Sequence, residues 1–204
     1  QGRAMRQLLF GAAPVLIAAS TRIGEDEAVL EAFRQVREKQ ADARLLIVPR
    51  HPERGTAVLS LVEQQGFVAE LRSRDPQPSG VDVYVVDTIG ELNAFLAAAD
   101  AAFVGGSLVD AGGHNLLEPA VIGVPVLTGP HHSSTPDIFE TMRAADALLV
   151  VEDADQLGDA WNRLLEHPEE RDRLGQLAGD IVADNRGALE RLQELLGSFL
   201  QSAR

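Results

Sequence analysis

Short apolar runs alternate with amphipathic segments along the first 150 residues of the chain. The run at 15–19 is too short for a core helix and is bounded by polar residues, so it predicts a buried strand. From about residue 25 the apolar positions recur every three or four residues, a spacing typical of a helix that faces a core. A second strand at 45–48 and a second amphipathic helix ending at Gly66 repeat this unit.

The same alternation continues to residue 151. We predict further strands near 67–71 and at 83–86, 101–104, 124–127 and 148–151, and further helices at about 90–98, 115–122 and 136–144. Strands separated by single helices require right-handed crossovers, which produce a parallel sheet covered on both faces. The sequence therefore predicts an α/β fold, a doubly wound parallel sheet of about six strands.

Beyond residue 153 the pattern is helical only, with helices expected at about 154–165, 168–184 and 187–200. A chain of 204 residues is close to one domain at roughly 150 residues per domain. No linker interrupts it. We therefore expect a single domain over 1–204, with an α/β core at about 14–152 and a helical C-terminal tail at 153–204.

The apolar stretch at 8–19 follows Arg3 and Arg6 and ends in small residues, a pattern that also occurs in secretory signal peptides. A buried first strand is the alternative, and we favour it because a helix pattern follows at once. The chain begins with Gln1 rather than Met, so we expect a cut end of a longer protein.

Composition excludes several functions. The chain has 18 Lys and Arg against 31 Asp and Glu, a net charge of −13, which disfavours binding to nucleic acid. It has no cysteine, which excludes disulfides, thiolate zinc sites and thiol nucleophiles. No apolar run reaches the roughly 18 residues needed to span a bilayer.

Ligands of doubly wound sheets bind at the carboxyl ends of the strands, so the residues that follow each strand are the candidates. Ser20 and Thr21 follow the first strand, where their hydroxyls either hold a phosphate or cap the next helix. Pro49 and Arg50 follow the second strand, with His51 and Arg54 nearby. The Arg50 guanidinium either binds a phosphate or carboxylate or forms an ion pair with Glu53 or Glu25.

Two later strand ends carry stronger patterns. Ile89, Gly90, Glu91 and Leu92 follow the strand at 83–86, where free amides could read a base edge; the alternative is a capping box made by Thr88 and Glu91. Residues 105–119 contain four glycines in nine positions, which predicts exposed amides and a helix start facing an anion. The candidates there are Gly106, Ser107, Gly112, Gly113, His114, Asn115, Leu116, Leu117 and Glu118.

Side-chain chemistry assigns roles within that last segment. Asn115 and Glu118 are three residues apart and share one predicted helix face, where Glu118 could accept from both hydroxyls of a ribose. His114 is a phosphate donor or a cap. The adjacent His131 and His132 lie in a polar loop without a third ligand, so we expect no metal site there, only a ligand-contacting loop or a turn. P-loop and dinucleotide-binding glycine motifs are absent from the sequence.

Four segments in this order resemble the 3-deoxy-D-manno-octulosonic acid (Kdo) transferase family. They are A-A-S-T-R-I-G-E-D-E at 18–27, V-P-R-H-P-E-R at 48–54, D-T-I-G-E-L at 87–92 and F-V-G-G-S-L-V-D-A-G-G-H-N-L-L-E-P at 103–119, the last followed by V-P-V-L-T-G-P-H at 124–131. The resemblance covers essentially the whole chain. It implies a GT-B glycosyltransferase, built from two Rossmann-like halves, of which this chain is similar to the C-terminal, donor-binding half.

The resemblance also implies a function and a set of contacts. Kdo would be transferred from CMP-Kdo to a lipid A precursor in lipopolysaccharide biosynthesis, with inversion and without a metal or other cofactor. CMP-Kdo would be held by Pro49, Arg50, Gly90, Glu91, Leu92 and residues 115–118, with Ser20 and Thr21 nearby. The chain departs from the family at Arg22, where the family usually has His, and at Leu116, where it often has Pro.

The remaining functional parts are implied to lie outside the chain. The catalytic carboxylate base, the acceptor surface and the membrane-associating segment belong to the family's N-terminal half, so we expect the chain alone to be soluble, to bind nucleotide and to transfer nothing. The full-length enzyme would act at the cytoplasmic face of the bacterial inner membrane. The alternatives are the donor half of another GT-B enzyme or epimerase that uses a UDP-sugar, and a stand-alone nucleotide-binding module.

Overall fold

A computed structural model describes residues 2–184 of the chain. Within this range seven strands form one sheet, in the order β3-β4-β2-β1-β5-β6-β7, and every neighbouring pair is parallel. The strands are β1 Val15–Thr21, β2 Arg44–Pro49, β3 Ala69–Leu71, β4 Val83–Val85, β5 Ala101–Val104, β6 Val126–Thr128 and β7 Leu148–Val150. The predicted doubly wound parallel sheet is confirmed.

Helices connect the strands and cover the sheet. They are α1 Gly2–Leu9, α2 Asp26–Lys39, α3 Gly55–Gln64 after one 3-10 turn at Pro52–Arg54, α4 Leu92–Leu96, α5 Leu117–Ile122, α6 Pro136–Ala144 and α7 Ala154–Glu166. Residues 168–184 are also helical, which confirms two of the three helices expected after residue 153; the one predicted at 187–200 lies outside the described residues. No helix in the described range is long and apolar enough to cross a membrane.

The sheet has a separate apolar cluster on each face. Side chains alternate along β1, so that Leu16 and Ala18 belong to one cluster and Val15, Ile17 and Ala19 to the other. All five are buried. A central parallel strand has both faces covered, so its sequence is an uninterrupted apolar run. Such a short run, bounded by polar residues, is the signal that located β1.

The crevice of the fold lies between β1 and β5. The chain leaves β1 through α2 toward β2 on one side, whereas β5 and its successors lie on the other side. Crossovers therefore diverge at this point, and a gap opens above the carboxyl ends of the two strands. The residues that directly follow β1 and β5 border this gap.

The N-terminal helix α1 was not predicted. Its Arg6 guanidinium donates to the carbonyl oxygens of Ala13 and Ala98 and pairs with Asp100 at 2.8 Å. The Asp100 carboxylate also accepts from the amide of Val15 at 2.8 Å. The apolar stretch at 8–19 thus contains a helix end and the start of a central strand, which confirms the strand interpretation of residues 15–19.

Candidate functional site

The end of β1 turns sharply into the crevice. Ser20 has a φ of 60°, the left-handed region that side chains other than glycine rarely adopt, and the β1–β2 register shifts between Ala19 and Thr21. The turn carries Thr21 inward, where it is fully buried and its hydroxyl faces the carboxyl group of Asp26. The buried Thr21 side chain is therefore not available to a phosphate in this arrangement, whereas Ser20 is half-buried at the turn and its contact with the ligand stays a prediction.

Glu25 holds this turn against the end of β5. Its fully buried carboxylate accepts hydrogen bonds from the amides of Arg22 at 2.8 Å, Gly106 at 2.7 Å, Ser107 at 2.9 Å and Leu108 at 3.0 Å. Four amide donors compensate the desolvation of one charge. Glu25 occupies the N-cap position of α2, and its side chain forms no capping hydrogen bond. The alternative interpretation of Ser20 or Thr21 as the cap of this helix is therefore wrong.

This arrangement corrects the prediction for Gly106 and Ser107. Their amides do face an anion, but that anion is the carboxylate of Glu25 rather than a ligand. The Ser107 hydroxyl donates to the carbonyl oxygen of Val104 at 2.7 Å and accepts from the amide of Gly129 at 2.8 Å. Ser107 is fully buried, so its role in this structure is to join β5 to the loop after β6.

The second glycine pair packs against that same loop. Gly113 has a φ of 73°, and a Cβ on it would run into the ring of His132. His132 is buried, stacks on Phe139 with ring centroids 4.2 Å apart, and places its Nε2 atom 2.9 Å from the Thr128 hydroxyl oxygen. Burial lowers the pKa of His132, so the ring is a neutral part of the core. Among residues 2–184 no group of three or more His, Asp or Glu could hold a metal ion.

Two arginines and two histidines meet on the other side of the crevice. The Arg22 guanidinium places Nε 3.2 Å from His114 Nε2 and Nη1 3.2 Å from His51 Nε2. Burial lowers the pKa of His114, and the nearby charges of Arg22 and Arg50 lower it further. A guanidinium can only donate, so the imidazole nitrogens accept and the positive charge of Arg22 is not neutralised.

Arg50 has no carboxylate partner among residues 2–184. Its amide donates to the carbonyl oxygen of Thr21 at 3.0 Å, which fixes the backbone beside β1, and its side chain is exposed. Neither expected ion pair forms: Glu25 is bound by amides, and Glu53 lies 3.7 Å from His51. Within the described range, the guanidinium of Arg50 forms no hydrogen bond or ion pair.

Pro49 and Arg54 are positioned differently from Arg50. Pro49 is buried as the last residue of β2, so it supports the backbone rather than lining the crevice. Arg54 turns inward, where its guanidinium pairs with Asp26 and donates to the carbonyl oxygen of Thr21 at 2.9 Å. Arg54 was expected near Arg50 in the crevice, and its inward ion pair corrects that expectation.

Part of the loop after β4 is bound to other residues of the protein. The Arg72 guanidinium donates hydrogen bonds to both carboxylate oxygens of Glu91, at 2.7 and 3.1 Å, and these bonds lower the pKa of Glu91. The Thr88 hydroxyl donates to the same carboxylate, and no side chain caps α4, so the capping box is wrong. Ile89 and Gly90 remain open to solvent, and Ile89 is 87% exposed.

A cleft of about 390 Å³ lies between α4 and α5, and one of its lining residues, Asn115, directly follows His114. It is lined by Asn93, Ala97, Asn115, Leu117, Glu118, Val121 and Ile122. Asn115 and Glu118 both line this cleft, although α5 begins only at Leu117. The Asn115 side-chain oxygen accepts a hydrogen bond from the amide of Leu117 at 3.1 Å. Glu118 forms no hydrogen bond or ion pair with any described residue. Leu116 is fully buried in the core, so its side chain does not reach the cleft.

Sequence comparison places this fold and crevice in a known class. The family model described as glycosyl transferases group 1 matches residues 26–179, and the chain belongs to this family. Its similarity within the family is to 3-deoxy-D-manno-octulosonic acid transferases. The relative from Haemophilus influenzae is 42% identical over 190 residues, which cover 92% of this chain and 44% of the relative. The relative from Bordetella pertussis is 35% identical over 193 residues, which cover 92% and 45%.

Solved structures agree with this assignment. The C-terminal CMP-Kdo binding domain of WaaA from Acinetobacter baumannii superimposes with a TM-score of 0.82 and 31% identity, covering 89% of this chain and 97% of that one. The chain spans about half the length of the curated relatives that it matches. It covers nearly all of the WaaA domain, which was solved on its own. The predicted glycosyltransferase family and its C-terminal domain fold are confirmed.

Proposed function

We propose that this chain is the donor-binding domain of a Kdo transferase and that it binds CMP-Kdo in the crevice between β1 and β5. The observation that carries the proposal is the exposed Arg50 guanidinium, which has no anionic partner within residues 2–184 and follows β2 beside Thr21 and near His114. A site for an anion at this position agrees with the ligand named for the similar domain of WaaA.

In this proposal the nucleotide extends from Arg50 into the cleft between α4 and α5. Arg50 binds the phosphate, and Asn115 and Glu118 bind the ribose, since Glu118 is an acceptor without a partner in the described structure. The open backbone at Ile89 and Gly90 contacts the base. Ser20 and His114 border the phosphate, and Leu92 and Leu117 form the adjoining apolar wall.

The chemical role of the domain is to stabilise the leaving group. As the bond between Kdo and phosphate breaks, negative charge accumulates on CMP, and a fixed guanidinium stabilises that charge. The base that activates the acceptor hydroxyl lies outside this chain, as do the lipid A precursor site and the membrane contact. The reaction would then take place at the cytoplasmic face of the inner membrane, in lipopolysaccharide biosynthesis.

Calorimetric titration of the chain with CMP and with UDP tests the nucleotide. We expect CMP to bind at least tenfold more tightly, a difference of about 1.4 kcal/mol. A tenfold preference for UDP would instead assign the domain to a UDP-sugar enzyme with the same fold. Absence of binding by either nucleotide would contradict a donor site of any kind.

The ribose contact can be tested separately with Glu118→Gln, which preserves shape but replaces one acceptor oxygen by a donor. We expect this variant to lose affinity for CMP and to lose much less for 2′,3′-dideoxy-CMP, which lacks both hydroxyls. Val121→Ala, on the same helix and the same cleft wall, is the matched control and should affect the two nucleotides equally. Equal losses for Glu118→Gln would remove Glu118 from the ribose site.

A further inference from the structure

We propose that Arg22, which lies between His51 and His114, recognises the sugar acid of the donor. Its guanidinium binds the carboxylate of the sugar, beside the phosphate that Arg50 binds. The inference rests on the proposed function and extends it to one residue. It gives Arg22 a role in selecting the sugar, whereas Arg50 binds the part that every nucleotide shares.

The first argument is the unusual environment of the Arg22 side chain. Its guanidinium is fixed by two imidazole nitrogens, each at 3.2 Å, and by no carboxylate among the described residues. Imidazole acceptors orient the planar fork without cancelling its charge, and the low pKa of His114 keeps that ring able to accept. The remaining donors of a half-buried, oriented guanidinium are well suited to a carboxylate.

The second argument is that the backbone of Arg22 is also fixed. Its amide donates to the buried Glu25 carboxylate at 2.8 Å, and the preceding Ser20 adopts the left-handed φ of 60° that turns the chain into the crevice. A surface arginine that served only solubility would need neither restraint. A side chain anchored at its backbone and at its guanidinium loses little entropy when it binds.

The third argument is the number of charges. Both Arg22 and Arg50 lie close enough to His114 to lower its pKa, so two cations without a carboxylate partner among the described residues share one end of the crevice. In a nucleotide-linked ulosonic acid the carboxylate and the phosphate are attached to the same carbon atom, so the donor presents two negative charges side by side. Two guanidinium groups near one imidazole match this pair, whereas a neutral sugar would leave one of them unused.

The test compares three ligands, CMP, CMP-Kdo and the methyl ester of CMP-Kdo, by calorimetry with the wild-type chain and with Arg22→Gln. The ester keeps the sugar and the phosphate but removes the second charge. We expect the wild type to prefer the acid over the ester by roughly tenfold or more, as for other hydrogen bonds to a charged group. Arg22→Gln should abolish most of this preference and leave the affinity for CMP within about twofold.

Arg143→Gln is the matched control, because it removes an equally charged guanidinium that pairs with Glu140 on the exposed side of α6. It should alter none of the three affinities. Unchanged CMP binding also demonstrates that the Arg22 variant is folded. Equal affinity of the wild type for acid and ester, or a uniform loss of all three affinities in Arg22→Gln, would overturn the inference. A wild type that binds none of the three ligands would instead contradict the proposed function.

Discussion

On the β5 side of the crevice the loop amides at 106–108 are bound by the chain itself, whereas on the β1–β2 side two guanidinium groups have no carboxylate partner among residues 2–184. The amides of Gly106 and Ser107 are occupied by Glu25, and Arg22 and Arg50 face only histidines and solvent. Since buried polar groups must find partners, the first side maintains the shape of the site. The second side keeps charge available for a ligand.

The largest effect should follow from removing the internal anion. Glu25→Ala leaves four amides without their acceptor, and we expect the free energy of unfolding to fall by about 3–5 kcal/mol. Urea denaturation measures this change. Glu27→Ala, an exposed carboxylate in the first turn of the same helix, should change stability by no more than about 0.5 kcal/mol. Similar values for the two variants would refute the structural role of Glu25.

A smaller loss is expected where the glycine-rich segment packs on the loop after β6. Gly113→Ala combines a left-handed φ with a Cβ that meets the His132 ring, so we expect a loss of about 2–4 kcal/mol in the free energy of unfolding. Gly66→Ala has a similar φ of 85° but open space around it, and should cost only about 1–2 kcal/mol. The difference between the two variants isolates the packing against His132.

On the unsatisfied side, substitution should change affinity and not stability. In the proposed site, Arg50→Ala removes a charged hydrogen bond to phosphate, and we expect CMP binding to weaken by about 1.5–3 kcal/mol in calorimetry. The urea midpoint should remain that of the wild type because the exposed guanidinium of Arg50 forms no hydrogen bond or ion pair with any described residue. Unchanged CMP affinity would remove Arg50 from the site, and a large loss of stability would contradict the contrast between the two sides.

The smallest effect concerns pH. Burial lowers the pKa of His114 and His132 in the folded chain, so the unfolded chain binds protons more readily once the pH falls below about 6.5. Their contribution to stability is therefore complete above that pH and decreases as the pH falls toward the folded pKa. Urea unfolding at pH 7.5 and 5.5 should reveal the loss, and His114→Gln should make the dependence shallower. A dependence that is equally steep in the variant would exclude His114 as its source.

Sequence patterns predicted the sheet well because they depend on local chemistry. A central strand covered on both faces is apolar throughout, as in β1, and the helices that flank it have three- and four-residue periodicity. The ends of elements were predicted less closely. Strand β3 spans only Ala69–Leu71, where a strand near 67–71 was predicted, and α5 begins two residues later than expected because the Asn115 side chain binds the Leu117 amide.

The sequence could select the residues that follow the strands, but not the contacts that they form with one another. Arg50 and Glu118 follow from the rule that ligands bind at strand ends. Glu25 was overlooked because an acidic residue before a helix is ordinary, and only the fold brings it to Gly106, 81 positions away. Arg22 and His51 likewise acquire their meaning from a contact between loops that are distant in sequence.

The carboxylate of Glu25 is a permanent part of the protein, whereas a bound nucleotide dissociates. Because the loop at 106–108 is bound by its own chain, this part of the crevice wall is assembled without a ligand. In the proposed function, product departs by breaking its contacts with Arg50, Asn115 and Glu118, and the next donor meets a loop that is already in place.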